Sequence, residues 1–194
     1  MSNKRKLLIQ WFIGNWLTIA VPPALLWGIF WAYTFFIGIG LIGILSGFIQ
    51  ALILKRILPR SYLWAGVTTV AWFAGLWLGI WGSSAINLNS ELEFFLITGI
   101  IAIVIGVAQG FLLMIFQLNG FRWMIVTIGG VALGMWIFPF VLTSISFSAD
   151  LGILGAMGQF LGYSMSALIY SILTTIALAK FPSELFSRRK NTED

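Results

Sequence analysis

Cysteine and histidine are both absent from this chain of 194 residues. Without cysteine there is no disulfide framework, no thiolate metal site and no thiol nucleophile. Without histidine the commonest metal ligand and the usual general base are missing too. Charge is scarce. Only 9% of the residues are Asp, Glu, Lys or Arg, against about 25% in soluble domains. None of these charges falls in the middle of an apolar stretch. Proton relays, voltage sensors and ion-coupled carriers place charge there, so proton coupling and voltage sensing are excluded as first readings. An intramembrane serine protease needs a Ser–His pair. An aspartyl or metal enzyme needs its acids or ligands, and a membrane transferase needs an acidic cluster on a loop. The sequence supplies none of these sets. It reads as non-enzymatic, with no catalytic residue, no metal site and no cofactor.

What is present is apolar. Hydrophobic residues make up 60% of the chain, more than a water-soluble fold of this size could cover. A helix needs about 20 apolar residues to cross the hydrocarbon core. Six stretches reach that length, and spans are expected at Leu7–Trp31, Phe35–Leu54, Tyr62–Gly82, Phe94–Phe116, Phe121–Thr143 and Leu151–Ala179. The expected fold class is all-α integral membrane, a six-helix transmembrane bundle in a single domain over residues 1–194. The first two spans form one apolar run, broken by Pro22-Pro23 and by Ala32-Tyr33-Thr34, which reads as a tight hairpin. Met1 to Lys6 does not read as the start of a signal peptide, because the apolar run behind it is too long for an h-region.

The charges set the expected orientation. Lys4, Arg5 and Lys6 precede the first span, and Lys55, Arg56 and Arg60 separate the second from the third. Arg122 lies between the fourth and fifth, and Lys180, Arg188, Arg189 and Lys190 follow the sixth. All fall on one side, while the opposite loops carry Glu91, Glu93 and Asp150. By the positive-inside rule both termini are cytoplasmic. The net charge of +5 is then a matter of topology and anionic lipid. Nucleic acid is not an expected partner; the bilayer is. Helical spans point to an inner or thylakoid membrane, because outer membranes hold barrels. The polar tail, residues 180–194, reads as a basic anchor or, through Phe181, Leu185 and Phe186, as a short interfacial helix.

The chain also repeats itself. When Phe35-Phe36 is laid on Phe94-Phe95, Gly40, Gly47, Gln50 and Leu54 meet Gly99, Gly106, Gln109 and Leu113. Trp64, Thr68, Gly75 and Trp77 meet Trp123, Thr127, Gly134 and Trp136. The repeated unit is two spans, so the copies point the same way and imply a pseudo-axis along the membrane normal. The same offset carried on from Gln109 lands on Leu168, so a third copy is only suggested.

The pattern Gly43-x-x-x-Gly47-x-x-Gln50-x-x-x-Leu54-Lys55-Arg56, followed by Trp64 and then by its second copy, resembles a family of uncharacterised small multi-pass bacterial membrane proteins. They are common in cyanobacteria and filamentous bacteria. The start Trp11-x-x-Gly14-Asn15-Trp16 is similar too. The second copy departs from the pattern, with Met114-Ile115 in place of the basic pair. The resemblance supports the fold and implies no activity.

Gly43/Gly47, Gly75/Gly79, Gly106/Gly110, Gly130/Gly134 and Gly158/Gly162 are small-residue pairs at helical spacing. They serve either packing within this bundle or a homo-oligomer face. Gly38-x-Gly40-x-x-Gly43 matches a dinucleotide fingerprint in letters only, for no strand precedes it. Gln50, Gln109 and Asn15 are the candidate polar layer, either bonding one another across the pseudo-axis or ringing a cytoplasmic vestibule. Gln159 lies too near the other end to join them. All ten Trp fall on spans one, three and five. Trp11, Trp31, Trp64, Trp81 and Trp123 are placed as interface aromatics, and Trp16, Trp27, Trp72, Trp77 and Trp136 sit deeper. Pro22-Pro23 and Pro139 suggest bends near the outer face. A candidate outward pocket would be lined by Trp27, Trp77, Trp136, Ser83, Ser84, Thr143 and Ser144. Two function classes remain. One is an accessory or structural subunit of a larger membrane complex. The other is a small-molecule binding or permeation protein without proton coupling, like the substrate-capture subunit of a transporter in length and span number only.

Overall fold

The computed structural model describes residues 3–27, 34–86, 90–145 and 152–182, with side chains described except at 23–27, 34–39, 90–91, 135, 138–145 and 152–160. These residues form six α-helices and no strand. They are α1 Asn3–Trp27, α2 Thr34–Leu54, α3 Tyr62–Ile86, α4 Ser90–Ile115, α5 Gly120–Ile145 and α6 Gly152–Ala179. Each expected stretch has become one helix, but several helices outrun their apolar run. α1 begins inside the basic stretch, α3 continues past Ser83 and Ser84, and α4 begins ahead of Glu91 and Glu93. Hydropathy marks the part of a helix suited to lipid; backbone hydrogen bonding decides where it ends. α1 passes through Pro22-Pro23 and α5 through Pro139. The expected end of span one at Trp31 lies outside the described residues, as does the tail from 183 onward.

Among the described residues Tyr62–Ile86, Leu92–Ile115 and Leu161–Ala179 are long and apolar enough to cross a membrane, and Gly40–Leu54 and Gly120–Gly134 are apolar but shorter. This is the character of a membrane protein. The outward faces agree with it, for Ile13, Phe48, Val70, Ile103, Ile125 and Ile176 are all exposed, one from each helix in turn.

Each helix packs on its neighbours in sequence, and α6 packs on α1, so the six close a ring. At the end that carries Lys4, Lys55 and Arg122, the interior is filled by Leu7, Trp11, Leu54, Trp64, Leu113, Trp123, Leu178 and Phe181. Toward the opposite end, Ile42, Trp72, Leu76, Ile97, Ile101 and Ile105 form a second cluster. The α4–α5 link is tight. Leu118 N–H donates to Leu113 O and Gln117 N–H to Met114 O, with Gln117 left-handed at φ 58°. Asn119 Oδ1 then accepts the Arg122 N–H and caps α5.

Glycine sets how closely the helices approach. A Cβ on Gly75 would lie 2.7 Å from Ile101 Cα, and one on Gly79 would lie 2.8 Å from Ile97 Cα. Gly43, Gly47, Gly106 and Gly134 likewise face neighbouring helices. Gly43/Gly47, Gly75/Gly79, Gly106/Gly110 and Gly130/Gly134 therefore serve packing within the ring, while Gly158 lies outside the described side chains. Gly75→Ala is expected to push α3 away from α4 and to cost about 1–3 kcal/mol. Gly66, on the same helix, has nothing within 4 Å of a built Cβ. Gly66→Ala is expected to be neutral or stabilising by up to about 1 kcal/mol. Thermal unfolding of the two variants in the same detergent separates these outcomes.

Candidate functional site on the ring axis

The site begins with three indoles. Trp11, Trp64 and Trp123 come from α1, α3 and α5 and meet edge to face, with centroids 6.3, 5.6 and 5.5 Å apart. They are 0, 1 and 1% exposed. They are therefore axial core residues and not the interface aromatics expected from their depth. Depth along a helix says nothing of which way a side chain faces, and these three face inward.

Each indole N–H must find an acceptor in so apolar a place. Trp64 Nε1 donates to Gln50 Oε1 at 2.7 Å, and Trp123 Nε1 donates to Gln109 Oε1 at 3.0 Å, across the same sequence separation of 14 residues. Gln50 Nε2 donates to Asn15 Oδ1 and, at 3.5 Å, to the Tyr170 hydroxyl. Gln109 Nε2 donates to Thr68 Oγ1 at 2.9 Å and to Gln50 Oε1 at 3.3 Å. Asn15 Nδ2 donates to Trp11 O. The structure thus brings Gln50, Gln109 and Asn15 into one fully buried layer. It adds Thr68, which the sequence shows only as a repeat position, and Tyr170, which it does not single out.

Trp11 starts the same series in α1. One turn on from it, Asn15 stands where Thr68 and Thr127 stand after Trp64 and Trp123. Its indole donates to Thr174 Oγ1 at 3.1 Å, so Thr174 on α6 holds the place of the two glutamines. Leu178 follows Thr174 as Leu54 follows Gln50 and Leu113 follows Gln109, and all three are buried. α6 followed by α1 thus places Thr174, Leu178 and Trp11 as α2–α3 and α4–α5 place their own Gln, Leu and Trp, with α6 last in the chain and α1 first. This is why one constant offset missed the third placing.

A cavity of about 30 Å³ adjoins this layer on the side away from the indoles. Ile19, Trp72 and Val131 line it, each two turns beyond its axial Trp. Ser46, Ile105 and Tyr170 line it as well, each one turn beyond Gln50, Gln109 and Thr174 respectively. The same two positions recur in all three helix pairs, so the cavity lies on the pseudo-threefold axis. Its polar lining consists of amides and hydroxyls, which suits it to neutral hydrogen-bonding groups. No metal-sized group of His, Cys, Asp or Glu comes together among the described residues.

The expected outward pocket is not assembled by the described side chains. Trp77 and Trp136 are each 74% exposed on the outer face of the ring. Ser83 is buried and donates to Ile80 O and to Glu93 Oε1, and Ser84 donates to Ile80 O. The side chains of Trp27, Thr143 and Ser144 lie outside those described, as does that of Gln159. Comparison with protein-family models, with curated proteins and with solved structures finds no match.

Proposed function

We propose that the chain is a six-span protein of a bacterial-type inner membrane or a thylakoid membrane, with both termini cytoplasmic, acting as an accessory or structural subunit of a larger membrane complex. The orientation rests on Lys4, Arg56, Arg122 and Lys180 standing at one end of alternating helices. The subunit reading rests on the indole triad. It fills the axis at the basic end, and each of its N–H groups is bonded to the wall behind it. An interior filled in this way is a core, and among the described residues no charged side chain is buried in it to couple or gate a solute. The glycine seams are used inside the ring, which leaves the exposed Trp77, Trp81 and Trp136 as the face a partner would meet. The resemblance to small multi-pass bacterial proteins fits this reading and adds no activity.

The second reading, small-molecule binding or permeation without proton coupling, requires the uncharged polar cavity on the axis, about 30 Å³ as it stands, to enlarge around a solute. Native mass spectrometry of the tagged protein, drawn from its own host's membranes in mild detergent, decides between the two. A stoichiometric protein partner is the expected result. The chain alone with a retained small-molecule mass would overturn the subunit reading in favour of the second.

A further inference from the structure

The bonds of the axial layer follow a rule with one exception. Each even-numbered helix accepts an indole N–H from one neighbouring odd-numbered helix, through Gln50, Gln109 or Thr174. In the first two cases it also donates to the other neighbour, from Gln50 to Asn15 and from Gln109 to Thr68. The third bond of this kind would run from Thr174 to Thr127. Threonine is too short to make it, and the Thr174 hydroxyl donates to Tyr170 O of its own helix at 2.8 Å. Among the described residues Thr127 Oγ1 is left without a partner, in a side chain that is 0% exposed. A buried polar group without a partner is costly, and most such groups turn out to be bonded to something.

Thr127 is not itself in the lining of the axial cavity, but Val131, one turn on from it in α5, is, and other capacity is unused in that lining. Gln109 Oε1 accepts from Trp123 alone. Thr68 Oγ1 and the Tyr170 hydroxyl accept from glutamine amides, and neither proton is donated in any bond among the described residues. A water needs two to four polar partners and roughly 10–15 Å³ of such space, and the cavity offers about 30 Å³. Larger or ionic guests fit neither the volume nor the uncharged lining. We propose that one or two water molecules reside in the axial cavity, held by Thr68, Gln109 and Tyr170, and complete the missing third arm by bonding to Thr127.

The test uses the full chain in lipid vesicles with ¹⁵N-glutamine, and water itself as the probe. Magnetisation transfer from water protons is followed to the side-chain amides by solid-state NMR, with the exposed Gln117 as the reference. Build-up at Gln50 and Gln109 within a few-fold of the Gln117 rate is expected. Amides that stay dark while Gln117 builds up would overturn the proposal. Thr127→Val keeps the shape and removes the hydroxyl. With bound water it lowers Tm and slows transfer to Gln109. A dry cavity gives the opposite sign, a raised Tm, because only an orphaned group has been removed, and that result also overturns the proposal. Thr174→Gln supplies the missing arm from the protein. It is expected to reduce water transfer at Gln109 with the ring still folded, and undiminished transfer would count against the assigned place of the water.

Discussion

Gln50→Leu is expected to lower stability by about 3 kcal/mol, with the protein still inserted. Gln50 is the hub of the axial layer. It touches α3 through Trp64, α4 through Gln109, α1 through Asn15 and α6 through Tyr170. Leucine fits the space but strands the Trp64 indole N–H and the Asn15 carbonyl oxygen. Each stranded buried group costs about 1–3 kcal/mol, while a typical interhelical hydrogen bond in a membrane contributes only about 0.6 kcal/mol. Four partners on four helices should place Gln50 well above that average. Reversible unfolding in mixed micelles measures it. A loss near 0.6 kcal/mol would mean that the stranded groups find other partners and that the layer is not a single network.

The second large effect is at Trp123. Its ring meets Trp11, Trp64 and Phe181, and its N–H bonds Gln109. Trp123→Ala opens the middle of the basic-end core and is expected to cost about 3–5 kcal/mol. Trp77→Ala is the matched control. Trp77 is 74% exposed, and its loss is expected to stay within about 0.5 kcal/mol, as for other surface changes. The ratio of the two losses tests the inward assignment directly. Equal losses would place Trp77 in a packed interface and contradict the ring as described.

These variants also mark what was legible in the sequence. Gln50, Gln109 and Asn15 stand out because an amide in an apolar run needs a partner, and the structure gives them one another. The tryptophans mislead because hydropathy reports depth and not azimuth. Trp123 and Trp77 both look like membrane aromatics, yet one is the axis and the other the rim. The spacing of Trp64 and Thr68 was already repeated at Trp123 and Thr127, and Trp11 with Asn15 shows it a third time. That signal was in the sequence but hidden by the assumption that repeats run in order. Thr174 carried no signal at all. A threonine bonded back to its own helix is ordinary in a span, and only the indole of Trp11 against it reveals its place. The helix ends differ from the expected spans for a simpler reason, since polar residues such as Asn3 and Ser90 extend a helix beyond its apolar part.

The pairing of α6 with α1 bears on how the chain is made. Trp11 and Thr174 are 163 residues apart. At about 5–20 residues per second, roughly ten to thirty seconds separate their synthesis. On the proposed six-span reading, the first helix passes that interval in the bilayer with its Trp11 indole N–H lacking its acceptor on α6, while Asn15 already has Gln50 of α2. The α2–α3 and α4–α5 units are complete as soon as they emerge, each with its own glutamine and tryptophan. The first helix alone waits for the last. Insertion machinery that shelters polar helices in transit would therefore be needed most by residues 3–27, and loss of that shelter would be felt at the start of the chain, not at its end.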